Sequence, residues 1–169
     1  MQPEELRSLQ APLKERYRHH PETALVTLNA EGSIGAGITC KVGTGPALVE
    51  AGLHPATGGS GLAACSGNML LEALVGCAGV TMGAVATAIG VQIRHGTVRA
   101  EGDLDFRGTL GVSKDTSVGI QRIRLFFDLE TDATEEQLAT LLRLTERYCV
   151  VFQTLRRPPE MSIESHTHS

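Results

Sequence analysis

The stretch from Ser66 to Gly90, SGNMLLEALVGCAGVTMGAVATAIG, decides how the rest of this chain folds. Within it Leu70, Leu74, Cys77, Thr81, Ala84 and Ala88 recur at alternating spacings of four and three, the period of one helical face. That pattern places Cys77 inside an apolar seam. Glu72 is the only formally charged residue between Glu50 and Arg94, so the other faces are nearly as apolar as the seam. A helix apolar all round is a buried helix, and this one reads as the centre of the core. Gly79 and Gly83 add a small-xxx-small step suited to a close helix contact.

The charge-free run from Ala73 to Ile93 is also long enough to cross a bilayer. It has no Trp or Tyr belt and no flanking Lys/Arg clusters, and it is built from Ala, Gly and Thr rather than Leu, Ile and Phe. A core helix is therefore expected, and no membrane.

On its N-terminal side, Gly43 to Ser60 is rich in Gly, Pro and Thr, with a strand-like piece near Ala47 to Glu50, and reads as a mobile loop. Further out, Ala24 to Leu28 and Ile34 to Val42 alternate around Asn29-Ala30-Glu31-Gly32, which predicts a β-hairpin with Cys40 on its second strand. Leu6, Leu9, Leu13 and Tyr17 predict an amphipathic helix kinked at Pro12 and ended by Pro21. Ser66 or Asn68 is expected to cap the central helix, with Glu72 near the positive end of its dipole, and Gly90 to stop it.

On the C-terminal side, VQIRHGTVRAEGDLDFRG and SVGIQRIRLFFDLE have β character. Ile123, Leu125, Phe127 and Leu129 alternate with Arg122, Arg124, Phe126 and Asp128, as in an antiparallel sheet with one wet face. Thr134 and Gln137 form a capping box that opens a helix with an apolar stripe of Leu138, Leu141, Leu142 and Thr145. A short helix through Thr154, a break at Pro158-Pro159 and a last strand from Glu160 to Glu164 follow. Residues 23–165 are expected to form a single domain, with an N-terminal amphipathic helix over 1–22 and a disordered tail over 166–169.

A chain of 169 residues with a net charge of -4 carries no basic face for nucleic acid, and none is expected as a partner. MQPEELRSLQ has acidic residues where a signal peptide has basic ones, so the expected compartment is cytoplasmic. There, Cys40, Cys65, Cys77 and Cys149 would be thiols at rest. No Cys/His spacing suits zinc, and His19, His20, His166 and His168 read as solvated side chains. Neither metal nor cofactor is expected. Free cysteine is most often a small buried hydrophobe, so spacing alone leaves Cys77 and Cys149 open between packing and chemistry.

The run LLEALVGCAGVTMGAVATAIG and the later run CVVFQTL, of the form Cys-x-Val-x-x-Thr-Leu, together resemble the OsmC/Ohr family. This is the family of osmotically induced and organic hydroperoxide resistance proteins, and the resemblance spans about Thr23 to Ile163. It implies an α+β fold, a tightly intertwined homodimer in which antiparallel sheets wrap around buried central helices, with active sites at the interface. It also implies thiol peroxidase chemistry in stress defence. Cys77 would be the peroxidatic thiolate that attacks an organic hydroperoxide substrate and becomes a sulfenic acid. Cys149 would resolve it to a disulfide, to be reopened by an external dithiol reductant.

The chain departs from the family at three places. The peroxidase members carry a glutamate ten residues before the peroxidatic cysteine, paired with an arginine from the N-terminal hairpin. Here Gly67 holds the first position, and Ala24 to Val42 contains no arginine. Val150 stands where the family usually has proline. Arg16, Arg18 or Lys41 are the candidate replacements for the arginine, whereas Glu72 lies on another helical face from Cys77. Cys65 reads as a loop thiol at the mouth of the site, about 18 Å from Cys77 if the helix extends that far. The alternative implied by these departures is a non-catalytic dimer that binds a small apolar ligand in its interface cleft.

Overall fold

The computed structural model describes residues 47–111 and 114–167, the strands at 32–34 and 39–44, and residues 2–5, 8, 10, 11, 19 and 20. Arg16, Arg18, the predicted strand from Ala24 to Leu28 and most of the predicted N-terminal helix lie outside these residues. The described elements are β1 (Gly32–Ile34), β2 (Thr39–Thr44), β3 (Ala47–Gly52), β4 (Ala64–Cys65), α1 (Ser66–Ile89) and β5 (Ile93–Leu104). They continue through α2 (Phe106–Thr109), β6 (Ile120–Thr131), α3 (Glu135–Tyr148) and α4 (Val150–Arg156).

Strands β1 to β4 form one sheet in sequence order, antiparallel except for the β3–β4 pair. The run from Ile34 to Val42 is thus not one strand. Its two ends pair with each other, Ile34 opposite Cys40. Gly32, expected in the turn, belongs to β1. Within the expected loop from Gly43 to Ser60, the strand-like piece near Ala47 to Glu50 is β3, and a 3-10 turn over Pro55–Thr57 is capped by the His54 side chain.

Strands β5 and β6 make a long antiparallel ribbon, Val98 opposite Phe127 and Ala100 opposite Leu125. Ile123, Leu125, Phe127 and Leu129 turn inward as the alternation predicts. On the wet face Arg124 bridges Glu101 and Asp103 across the strands, and Arg99 lies 4.2 Å from the Phe126 ring centroid. A two-stranded ribbon needs a cover to be stable. Here α1 lies on β5.

Helix α1 also packs against α3 and α4. By length and composition it could cross a membrane. Its buried residues are Leu74, Ala78, Met82, Val85 and Ala86, a face rotated from the predicted seam. The seam holds only through Leu74 and the half-buried Cys77 and Thr81, because Leu70, Ala84 and Ala88 are exposed in this chain. A helix apolar on every side gives periodicity no contrast with which to choose a face. Leu70, Ala73, Gly76, Val80, Gly83 and Ala84 thus form an uncovered apolar stripe, with Val80 77% exposed. The four-stranded sheet is thinly attached as well: among the described elements its only substantial contact outside itself is β4 against α1.

The caps explain where the helices end. Gly90 adopts φ 72°, and its N–H reaches the carbonyls of Ala86 and Thr87, a conformation that glycine reaches without steric cost. At the other end Cys65, rather than Ser66 or Asn68, is the N-cap of α1, and its side chain makes no capping bond. Glu72 falls beyond the first turn. Thr134 and Gln137 close the capping box of α3 as the sequence predicts. Thr134→Ala is expected to cost about 1 kcal/mol, read as a fall of several degrees in the calorimetric Tm.

Two apolar clusters meet on α1. Met82, Val85, Ala86, Val91 and Leu141 form one; Leu74, Ala78 and Cys149 form the other, with Val98, Ile123, Leu125, Phe152 and Leu155 against it. Leu142, assigned to the stripe of α3, is instead 44% exposed. The expected last strand is absent: residues 158–167 have no regular structure, and Met161 and Ile163 are exposed. Pro158 and Pro159 supply no N–H to start a ladder.

Candidate active site

Cys77 lies at the middle of α1, one turn after Leu74, and is half-buried. Cys149 is the hinge between α3 and α4, the C-cap of one and the N-cap of the other. Its N–H donates to the Thr145 carbonyl at 3.0 Å and its carbonyl accepts from Gln153 N–H at 3.0 Å. Three residues of the next helix therefore follow it with amides that have no earlier helical carbonyl to reach. Those amides serve the sulfurs. Val150 and Val151 N–H face Cys77, while Val151 and Phe152 N–H face Cys149.

The two thiols touch, and their environments divide their acidity. Burial pushes Cys77 up, but the Val151 amide, the Cys149 thiol, the Thr81 hydroxyl and the Val150 amide all favour its thiolate, and the net effect lowers it. For Cys149 burial wins: only 1% of the residue is exposed. The Phe152 amide works against burial, whereas the neighbouring Cys77 pushes Cys149 further up. The first proton thus leaves Cys77, and the Cys149 S–H is held to donate to it. A low thiol pKa and access are what a reactive cysteine requires.

These residues were within reach of the sequence only in part. The structure brings Cys77 and Cys149 together, 72 positions apart in the chain. It does not bring Glu72, which is exposed. It places Cys65 at the end of β4 rather than in a loop, half-buried and a free thiol, as Cys77 and Cys149 are. Gly67 sits in the first turn of α1, where a Cβ would come no nearer than 3.6 Å to Cys65 Sγ. A side chain would fit there, but no carboxylate is present. Cys40 and Lys41 fall on β2. The Thr81 hydroxyl and the α4 amides went unread, although Thr81 four residues after Cys77 was the available signal.

Val150 acquires a role from this geometry. A proline at that position would lack the N–H that faces Cys77. Val150→Pro suits the first position of a helix, so the fold is expected to hold while Cys77, with one donor fewer, titrates higher. The pH dependence of iodoacetamide labelling followed by mass mapping checks this. In the parent chain Cys77 is expected to label at lower pH than Cys149.

Two hollows lie against the apolar cluster around Leu74, Ala78 and Cys149, and Cys149 itself lines the second of them. One, of about 270 Å³, is walled by Leu74, Ile123, Leu125, Phe152 and Leu155, with Arg122 and Arg156 among its other residues. The second, of about 200 Å³, lies between Ala78, Phe127, Leu142, Thr145 and Cys149. A larger opening of about 610 Å³ lies at the far end of α1 between Gly83 and Ile93, and none of the described residues that line it is titratable.

A family model described as OsmC-like protein matches residues 58–164. The chain belongs to the OsmC-like family. No curated protein matched this OsmC-like chain. Among solved structures, an OsmC like protein from Mycoplasma pneumoniae is similar at 14% identity, with 79% of this chain and 89% of that one covered and a TM-score of 0.66. An organic hydroperoxide resistance protein OsmC from Legionella pneumophila gives 14% identity, 79% and 91% coverage and a TM-score of 0.63. An organic hydroperoxide resistance protein from Elizabethkingia anophelis gives 16%, 79%, 91% and 0.63. At these identities the likeness establishes the α+β OsmC-like fold.

Proposed function

We propose that this OsmC-like protein is a cysteine-based peroxidase that reduces organic hydroperoxides. The observation that carries the reading is the contact of two thiols with opposite acidity shifts, Cys77 down and Cys149 up. The Cys77 thiolate attacks the outer peroxide oxygen, the O–O bond breaks, and the alcohol leaves with a proton. Cys77 becomes a sulfenic acid, and Cys149 condenses with it to release water and form a disulfide. An external dithiol restores both thiols. The names of the Legionella and Elizabethkingia neighbours support a role in hydroperoxide resistance.

Among the described residues the donors to Cys77 are neutral in this scheme, and the candidate Arg16 and Arg18 lie outside those residues. These amides and hydroxyls stabilise the thiolate, and apolar contact orients the peroxide's alkyl group. The hollow walled by Leu74, Ile123, Leu125 and Phe152 would take its alkyl group. The uncovered stripe on α1 and the thinly attached sheet support a homodimer, each copy covering the other's central helix. The expected cytoplasmic location goes with resting thiols.

The test is peroxide-dependent oxidation of a stoichiometric dithiol by the purified protein. Turnover with cumene hydroperoxide faster than a small free thiol supports the peroxidase. A folded protein whose Cys77 reacts no faster than such a thiol would leave the non-catalytic binder of a small apolar ligand, the reading that the missing glutamate at Gly67 favours.

A further inference from the structure

The described residues contain one buried side-chain polar atom without a hydrogen-bond partner, Thr145 Oγ1. The residue is 2% exposed, and a hydroxyl left so is costly unless something else completes it. Thr145 lines the hollow of about 200 Å³ together with Cys149, Ala78, Phe127 and Phe152. Cys77 is not among the lining residues. The second thiol, closed to the open surface, therefore borders a space of its own, beside an unsatisfied donor.

We propose that this hollow is the port through which a small alkyl dithiol reaches the oxidised site, with the Thr145 hydroxyl holding the incoming sulfur against Cys149. The inference rests on the peroxidase reading for the origin of the disulfide. One thiolate of the reductant attacks Cys149 Sγ, a sulfur–sulfur bond forms, and the Cys77–Cys149 bond breaks with Cys77 leaving as thiolate. The reductant's second thiol loses its proton and attacks the mixed disulfide, closing a cyclic disulfide and expelling Cys149, which takes up a proton. The dithiol loses two electrons and the protein disulfide gains them. Exchange is faster when the more acidic thiol is the leaving group. Cys77 has the lowered pKa, so attack at Cys149 is the favoured direction, and the hollow opens on that sulfur.

The experiment starts from protein oxidised with diamide, so that the disulfide exists whether or not peroxide can make it. Brief exposure to 2-mercaptoethanol, quenching with N-ethylmaleimide and mass mapping are expected to find the adduct on Cys149 and the maleimide on Cys77. With dithiothreitol, Thr145→Val is expected to be reduced about five- to tenfold more slowly, while Thr145→Ser keeps the parent rate. Leu142→Trp, at an exposed wall of the hollow, is expected to slow reduction as well. The reverse labelling, or parent rates in Thr145→Val, would overturn the port. The labelling is read on the parent protein and decides even if a variant fails to fold. Failure of cumene hydroperoxide to produce the disulfide that diamide produces would sink the peroxidase reading alone.

Discussion

Treatment of reduced Cys149→Ser protein with one equivalent of cumene hydroperoxide is expected to leave Cys77 as a sulfenic acid that dimedone traps. The parent protein under the same treatment is expected to form the Cys77–Cys149 disulfide. Cys77→Ser is expected to lose the peroxide step altogether, a fall of several orders of magnitude to the background of the remaining thiols. The asymmetry follows from the geometry. Cys77 combines a lowered pKa with partial exposure, whereas Cys149 is raised and closed to solvent. With serine at 149, none of the described groups around Cys77 can condense with the sulfenic acid, and excess peroxide drives it on to the sulfinic acid. Two cysteines that merely pack would show no such order, and equal labelling of both by peroxide would refute the assignment. Because resolution removes water between sulfurs already in contact, the parent sulfenic acid is expected to be too short-lived to trap.

The elements that the sequence announces through contrast are the ones the structure retains. Arg122 to Leu129 alternates strongly and is a strand, and Thr134 with Gln137 closes the box that begins α3. The misread places lack that contrast. In Ile34 to Val42 the β-like residues concealed two strands that pair with each other, Ile34 opposite Cys40. Glu160 to Glu164 alternates like a strand but pairs with none of the described strands. Leu142 was grouped with Leu141 by residue type, although only one of two adjacent helical positions can point straight at the core.

The site divides in the same way. Cys77 and Cys149 were legible only through resemblance, since a spacing of 72 residues carries no geometric information about contact. The donors were illegible for a different reason. Val150, Val151 and Phe152 act through their backbone amides, so their side chains give no hint of the role. The substitution at Val150, which reads as a loss against the family pattern, supplies a donor instead.

Val80→Asp is expected to convert the protein from a dimer to a monomer, or to remove it from the soluble fraction. In one chain Val80 is 77% exposed on a stripe with Leu70, Ala73, Gly76, Gly83 and Ala84, and a carboxylate there would cost nothing if the stripe faced water. If a second copy covers it, each two-fold interface buries two unpaired charges, at several kcal/mol each. Against a total stability of about 5–15 kcal/mol, one such pair raises the dimer dissociation constant by more than about a thousandfold. Sedimentation across a dilution series measures this directly. Val80→Ala removes area without adding charge and is expected to stay dimeric, which separates the electrostatic penalty from simple loss of packing. A parent protein that sediments as a folded monomer at micromolar concentration, or a soluble Val80→Asp dimer, would show that a second copy does not bury this stripe of α1. The active site is tied to the same outcome, because the uncovered stripe and Cys77 belong to adjacent faces of one helix.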